Sequence, residues 1–202
     1  MNRRSLPVLL LGSAALLLGA CASSPPSSFY LLTPMNAGPA VPDSGLIVGV
    51  GPVRLADYLD RPQIVTREVP NRLQVSEVHR WGGSLQDNLL LVLAQNLSLL
   101  LGGEQVLVYP WDDPLRPDYQ VRMEVRRFDG GPDSEVELDA RWSIEAADAA
   151  EASGKGRSLI REAVGGTEVT DLVAAQSRAL ERLSRDIAAE IGRLEQGRAA
   201  RE

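Results

Sequence analysis

The sequence predicts an α+β fold: a mostly antiparallel sheet with two long helices packed on one face. Three observations carry that expectation. Strand-like and helix-like stretches follow one another in the order strands, helix, strands, helix. Two long segments, 84–101 and 171–195, repeat apolar residues at helical spacing. The stretch SEVELDARWSIEA alternates cleanly, with Val136, Leu138, Ala140, Trp142 and Ile144 on one face and Glu137, Asp139, Arg141, Ser143 and Glu145 on the other. A strand with one wet face favours antiparallel pairing.

Taken in order, FYLLT (29–33) reads as the first strand, and a Pro/Gly loop follows it. LIVGVGPVRL (46–55) is β-branched and apolar and reads as a buried strand. Gly49 and Gly51 inside it imply a bulge or a close backbone approach. They do not form a dinucleotide fingerprint, because the third glycine and the following helix are missing. QIVTREV and RLQVSEV flank Pro70-Asn71 as a hairpin. Ser84 caps the first helix, with Asp87 three residues on, and Gly102-Gly103 ends it. Its inner stripe is Leu85, Leu89, Val92, Leu93, Asn96, Leu97 and Leu100. Leu90, Leu91, Leu99 and Leu101 fall partly outside that stripe, so this helix is either covered on two sides or touches a partner.

QVLVYP is a short strand. YQVRMEVRRF places Tyr119, Val121, Met123 and Val125 on one face, and Phe128 breaks the phase, which implies a bulge near Arg126-Arg127. Gly130-Gly131-Pro132-Asp133 is a turn. After a loop at 149–154, GRSLIREAV is a further strand. The last helix, 171–195 with Thr170 as its cap, buries Val173, Gln176, Leu180, Leu183, Ile187, Ile191 and Leu194. Arg178, Glu181, Arg182, Arg185, Asp186 and Arg193 face away. It should pack beside the first helix, with residues 197–202 as a frayed tail.

The N-terminus, MNRRSLPVLLLGSAALLLGAC, has the layout of a secretory signal: Arg3 and Arg4, then an uncharged apolar run from Leu6 to Ala20. That run is short for a membrane span, which takes about 20 residues. Leu18-Gly19-Ala20-Cys21 resembles the bacterial lipobox, which implies cleavage before Cys21 and lipidation of its thiol and new amine. Cys21 is the only cysteine, so an intramolecular disulfide is excluded. Several acyl chains on one residue hold a protein to a membrane far more firmly than one chain does. Ala22 and Ser23 follow, with no aspartate after the cysteine, which points to the periplasmic face of the outer membrane. The organisation is therefore a lipoprotein signal (1–20), a lipidated cysteine with a Ser/Pro tether (21–28), one α+β domain (29–196) and a tail (197–202).

Loss of Arg3 and Arg4 with the leader takes the formal charge from −6 to −8. So acidic a chain is a poor match for nucleic acid, which requires a basic face. Catalytic chemistry finds little footing. His79 is the only histidine, and no HxxEH, GxSxG or phosphate-loop pattern is present. Glu135, Glu137 and Asp139 read as a solvated row, and WDDP (111–114) as a turn with two acids. No catalytic residue, metal or cofactor is expected, and the chain is read as a non-enzyme.

Two polar segments stand out: DYLDRPQIVTR (57–67) and SEVHRWGGSLQDNL (76–89). Tyr58, Asp60, Arg61, Arg67, His79, Arg80 and Trp81 are the candidate partner-binding residues, since Arg and aromatic side chains are favoured as interface anchors. The alternative is that Asp57, Asp60, Arg61 and Arg80 form local salt bridges framing the helix start.

With the lipobox and the FYLL strand, these two segments resemble the PqiC family, auxiliary lipoproteins of ABC-type transport systems that work with mammalian-cell-entry (MCE) proteins. The similarity departs at Gly82-Gly83. The resemblance implies an accessory without catalytic residues that docks a periplasmic MCE conduit carrying lipid, at the outer membrane, and supports membrane integrity. A rotationally symmetric partner also invites a homo-oligomeric ring. Two other readings remain. One is a stand-alone lipid- or small-molecule-binding lipoprotein with a cavity beneath the Leu-rich helix. The other is a hydrolase that depends on His79.

Overall fold

The computed structural model describes residues 26–39, 41–103, 105–111, 116–147 and 153–201. The leader, Cys21 and residues 22–25 of the tether lie outside these, as do residues 112–114 of WDDP and 149–152 of the expected loop. The described residues form β1 (Ser28–Tyr30), β2 (Val48–Leu55), β3 (Gln63–Val69), β4 (Arg72–Trp81), α1 (Leu85–Leu101), β5 (Val106–Val108), β6 (Tyr119–Gly130), β7 (Glu135–Ala146), β8 (Gly154–Ala163) and α2 (Val169–Ala199).

The α+β class and the element order are as expected, but the strands divide into two mixed sheets. One has the order β1-β4-β3 and the other β5-β2-β6-β7-β8. β3–β4, β6–β7 and β7–β8 are antiparallel. β1 runs parallel to β4, and β2 runs parallel to both β5 and β6. The physical reason lies in the connections. Parallel neighbours need a long crossover, and the hairpin plus α1 supply one between β2 and β6. β2 is accordingly buried on both faces over Val48–Gly51, as the unbroken apolar run of a parallel strand should be.

Both expected irregularities are present. The β2–β6 register shifts between Val50 and Val53, and the β6–β7 register between Val125 and Arg127. Gly49 and Gly51 allow close approach: a Cβ on Gly49 would lie 2.8 Å from the Trp111 ring, and one on Gly51 2.6 Å from Tyr109 Cβ. Gly51 also has φ +117°, which side-chain-bearing residues rarely adopt.

The two helices lie side by side on the five-stranded sheet, α1 over β2 and β5, α2 across β6, β7 and β8. Ser84 caps α1, its Oγ accepting from Asp87 N–H at 3.3 Å, and Gly102 ends it in the left-handed conformation. α2 starts earlier than expected. Its N-cap is Glu168, not Thr170, because Glu168 and Asp171 form a reciprocal capping box in which Glu168 N–H donates to Asp171 Oδ2 at 3.2 Å. It also runs on to Ala199, through the first half of the expected tail. The whole expected stripe of α2 is buried, together with Phe128, Val125, Leu138 and Ile144 from the sheet. Each large apolar side chain so buried contributes about 1.5–3 kcal/mol.

α1 is covered on two sides, and Leu90 is buried near Gly51, yet Leu91 remains 50 % exposed. Three side chains of the helix layer tie down the chain after β1. Leu32 N–H donates to Asn88 Oδ1 (2.7 Å), Thr33 N–H to Ser177 Oγ (3.1 Å) and Met35 N–H to Asn96 Oδ1 (2.8 Å). Asn96 is fully buried and passes its amide on to Ser184 Oγ at 3.0 Å. On the far side, Arg178 and Arg182 donate to the Ala163 and Arg161 carbonyls. They occupy acceptors that the β8 edge would otherwise offer to another strand.

Candidate functional site

The two polar segments singled out in the sequence meet in the three-stranded sheet. Residues 56–62 turn tightly out of β2. Ala56 N–H donates to the Val125 carbonyl, Leu59 N–H to that of Ala56, and buried Leu59 pins the turn inward. This holds Asp57, Asp60, Arg61 and Pro62 in solvent. β3 then pairs with β4 so that Gln63 lies opposite Arg80, and Trp81 N–H donates to the Pro62 carbonyl. The loop carrying Asp60 and Arg61 thus sits beside the end of β4 that carries His79, Arg80 and Trp81.

The seven candidate residues separate into three groups. Tyr58 and Arg67 are taken up internally by Asp129, which is 0 % exposed. Tyr58 Oη donates to Asp129 Oδ2 at 2.5 Å. Arg67 donates through Nε to Oδ1 (2.7 Å) and through Nη2 to Oδ2 (3.0 Å). Arg127 Nε adds a bond to Oδ1 at 3.0 Å, and its Nη1 donates to Glu137 Oε1 at 2.7 Å. The Arg67 guanidinium also lies 5.7 Å from the Tyr58 ring centroid, within cation–π range. Burial works against the Asp129 charge, but the bonds from Arg67, Tyr58 and Arg127 together hold its carboxyl below the usual aspartate range. Burial, and then the bond to the Asp129 carboxylate, push the Tyr58 hydroxyl up to about 12. The bond to Asp129 likewise raises Arg67 above its ordinary value. The cluster clamps the hairpin of the smaller sheet to β6 of the larger one.

Trp81 is in the core at 5 % exposure, and its indole is packed inside rather than offered outward. The remaining residues lie at or near the surface. Asp60 and Arg61 are exposed and make no ion pair among the described residues, and neither do Asp57 and Arg80. The alternative of salt bridges framing the helix start is therefore not what forms. His79 is half-buried, and Tyr30 Oη lies 2.8 Å from its Nδ1. Ser76, three residues before it, accepts through Oγ from the backbone N–H groups of Val78 and His79. Arg80 has its Nε buried without a partner among the described residues. Such a donor is costly to leave unmade, which is reason to look for a ligand or partner group there.

The sequence reading missed Asp129. Its signal was a carboxylate directly after the Phe128 phase break, where the bulge turns the strand and 128–130 are all buried. Among the described residues no group of three or more His, Cys, Asp or Glu side chains could hold a metal ion. An open groove of about 390 Å³ on the sheet is lined by Pro52, Arg54, Arg122, Glu124 and Arg141 among others. A second, of about 380 Å³, lies between the 37–41 loop and Leu99 at the end of α1. Both open to solvent, unlike the cavity beneath α1 that a stand-alone lipid carrier would need. Among the described residues no helix is long and apolar enough to cross a membrane, which says nothing of a β-barrel.

The family model described as ABC-type transport auxiliary lipoprotein component matches residues 30–188. Comparison with curated proteins returns no match. Among solved structures, one described only as an uncharacterized protein superposes with a TM-score of 0.68 at 21 % identity, covering 83 % of this chain and 99 % of that one. Protein XCC0632 from Xanthomonas campestris, of the DUF330 family, gives a TM-score of 0.66 at 19 % identity, covering 86 % and 99 %. At such identities these two likenesses bear on the fold alone.

Proposed function

The chain belongs to the family of ABC-type transport auxiliary lipoprotein components, and we propose that it is a non-enzymatic accessory that docks the periplasmic MCE-domain protein of its transport system at the outer membrane. In this reading acyl chains on Cys21 hold it to the periplasmic face. The short tether keeps the domain near the lipid. The docked conduit passes lipid, and its loss weakens the membrane. A ring of copies would match a rotationally symmetric conduit.

One observation carries the reading. The loop entering the smaller sheet presents Asp60 and Arg61 in solvent without ion-pair partners among the described residues, beside an Arg80 whose Nε is buried and, among those residues, unmet, on a platform clamped by Asp129. Unpaired charges on a rigid frame are suited to selecting a partner by charge complementarity. The test is co-purification of full-length protein from separated inner and outer membranes. The MCE-domain protein should come with it from the outer-membrane fraction, and R61E should reduce that recovery several-fold while the domain stays folded. Fractionation with the inner membrane, or recovery indifferent to Asp60, Arg61 and Arg80, would contradict the reading.

A further inference from the structure

Phe29 and Leu31 are large apolar side chains left 66 % and 55 % exposed. They alternate with Tyr30, which turns toward His79, and Leu32, which is buried in the core. Residues 29–32 thus keep the two-residue period of an extended strand, with two apolar residues on the outer side where polar ones are usual. β1 is an edge strand of the smaller sheet, and Phe29 lies in register with Arg80 of β4. Leu31 leans over the chain after β4: a Cβ on Gly82 would be 3.2 Å from Leu31 Cδ2. The pair is therefore held in place, not dangling on a loose terminus.

What covers this face follows from the chain that precedes it. Seven residues, 22–28, separate Cys21 from Phe29. They reach at most about 25 Å at roughly 3.5 Å each, and less in any unstretched conformation. If Cys21 is acylated, no other exposed apolar pair among the described residues is so close in the chain to the lipid. We propose that Phe29 and Leu31 enter the interfacial layer of the bilayer and fix the domain's orientation on it. Together with the acyl chains they give a second point of attachment, which converts a swivelling tether into a seated domain. The outer face of β1 then meets the lipid.

The inference rests on anchorage through Cys21, so the experiment reads the two separately. Full-length acylated protein is placed in phosphatidylethanolamine/phosphatidylglycerol vesicles, with a single cysteine introduced at Phe29, Leu31 or, as control, Leu159, which is exposed on β8. Acylated Cys21 does not react, so a nitroxide label goes only to the introduced thiol. Flotation of the vesicles reports the anchor. Collision with oxygen against a water-soluble nickel complex reports depth. Labels at 29 and 31 should show an oxygen-to-nickel ratio several-fold above that at 159. Protein that floats but shows the same ratio at all three positions would overturn the proposal and leave the anchor standing. A label at 29 or 31 that is shielded from both reagents and broadened by the same label on a neighbouring molecule would also overturn it, by showing that a second copy covers the face. Failure to float would count against the anchor itself, and the proposal would fall with it.

Discussion

The two sheets make an instructive pair. The five-stranded sheet has a helix layer on one face, and its strands β6 and β7 bury nearly every inward residue. The three-stranded sheet leaves Phe29, Val69, Leu73 and Val75 substantially exposed, and almost all of β4 before Ser76 is in solvent. The first is held by apolar area. The second is held by a few directional contacts: the Asp129 cluster, the Pro62–Trp81 backbone bond and the buried side chains of Ile64 and Trp81. A layer that spends its apolar groups on a core has few to offer a partner. A thin sheet clamped by charge can remain rigid and still present an uncovered surface, and the candidate docking residues lie there.

That contrast can be broken at several points. The largest effect is expected from F128A. Phe128 is fully buried under α2, and its loss should cost about 3–5 kcal/mol in urea unfolding of a soluble form lacking residues 1–21. D129A should cost about 2–3 kcal/mol, because it strands Arg67, Tyr58 and Arg127 without their common acceptor. The effect should also be local, with amide exchange rising in β3 and β4 before it rises in α2. N96A, which releases Met35 N–H and Ser184, should cost about 1–2 kcal/mol and loosen residues 33–35 first.

The same cluster gives the smaller sheet its own pH dependence. Asp129 titrates lower folded than unfolded, so its contribution is present above the ordinary aspartate value of about 3.9 and is lost as pH falls through the depressed value. D129N should flatten that acid limb. Tyr58 is raised to about 12. Its contribution holds below its unfolded value near 10 and disappears as pH rises through about 12. The tyrosinate absorbance that appears near pH 12 in an alkaline titration should be reduced in Y58F. Smallest of all is L73A, on the exposed part of the hairpin, expected within about 0.5 kcal/mol of the parent. A large cost there would mean that the hairpin has a core of its own.

Much of the scaffold was legible because its signals are local. The stripe of α2, the cap at Ser84, the glycine at 102 and the phase break at Phe128 each show within a few residues. The parallel pairings were not legible, because the partners of β1 and β2 lie far along the chain and no local pattern specifies them. The candidate site was legible only in part. Tyr58 and Arg67 look like surface anchors beside Asp60 and Arg61, and nothing near them in sequence reveals that Asp129, 62 residues beyond Arg67, takes up both. Trp81 sits on a strand whose earlier residues are mostly polar and exposed, and only the tertiary packing turns it inward. Asp60 and Arg61 look as ready to form local salt bridges as to meet a partner, and nothing near them in sequence shows that the turn pinned by Leu59 leaves them in solvent without an ion pair among the described residues.

The most direct test of the division between scaffold and docking surface is site-specific photocrosslinking in living cells. A photoreactive residue would replace Arg61 on the loop beside the smaller sheet or, in a separate strain, Arg157 on the outer face of β8. The expected result is capture of an MCE-domain protein from position 61 and not from position 157. Capture from 157 alone, or from 61 only of lipid or of further copies of this chain, would contradict the docking role given to the smaller sheet.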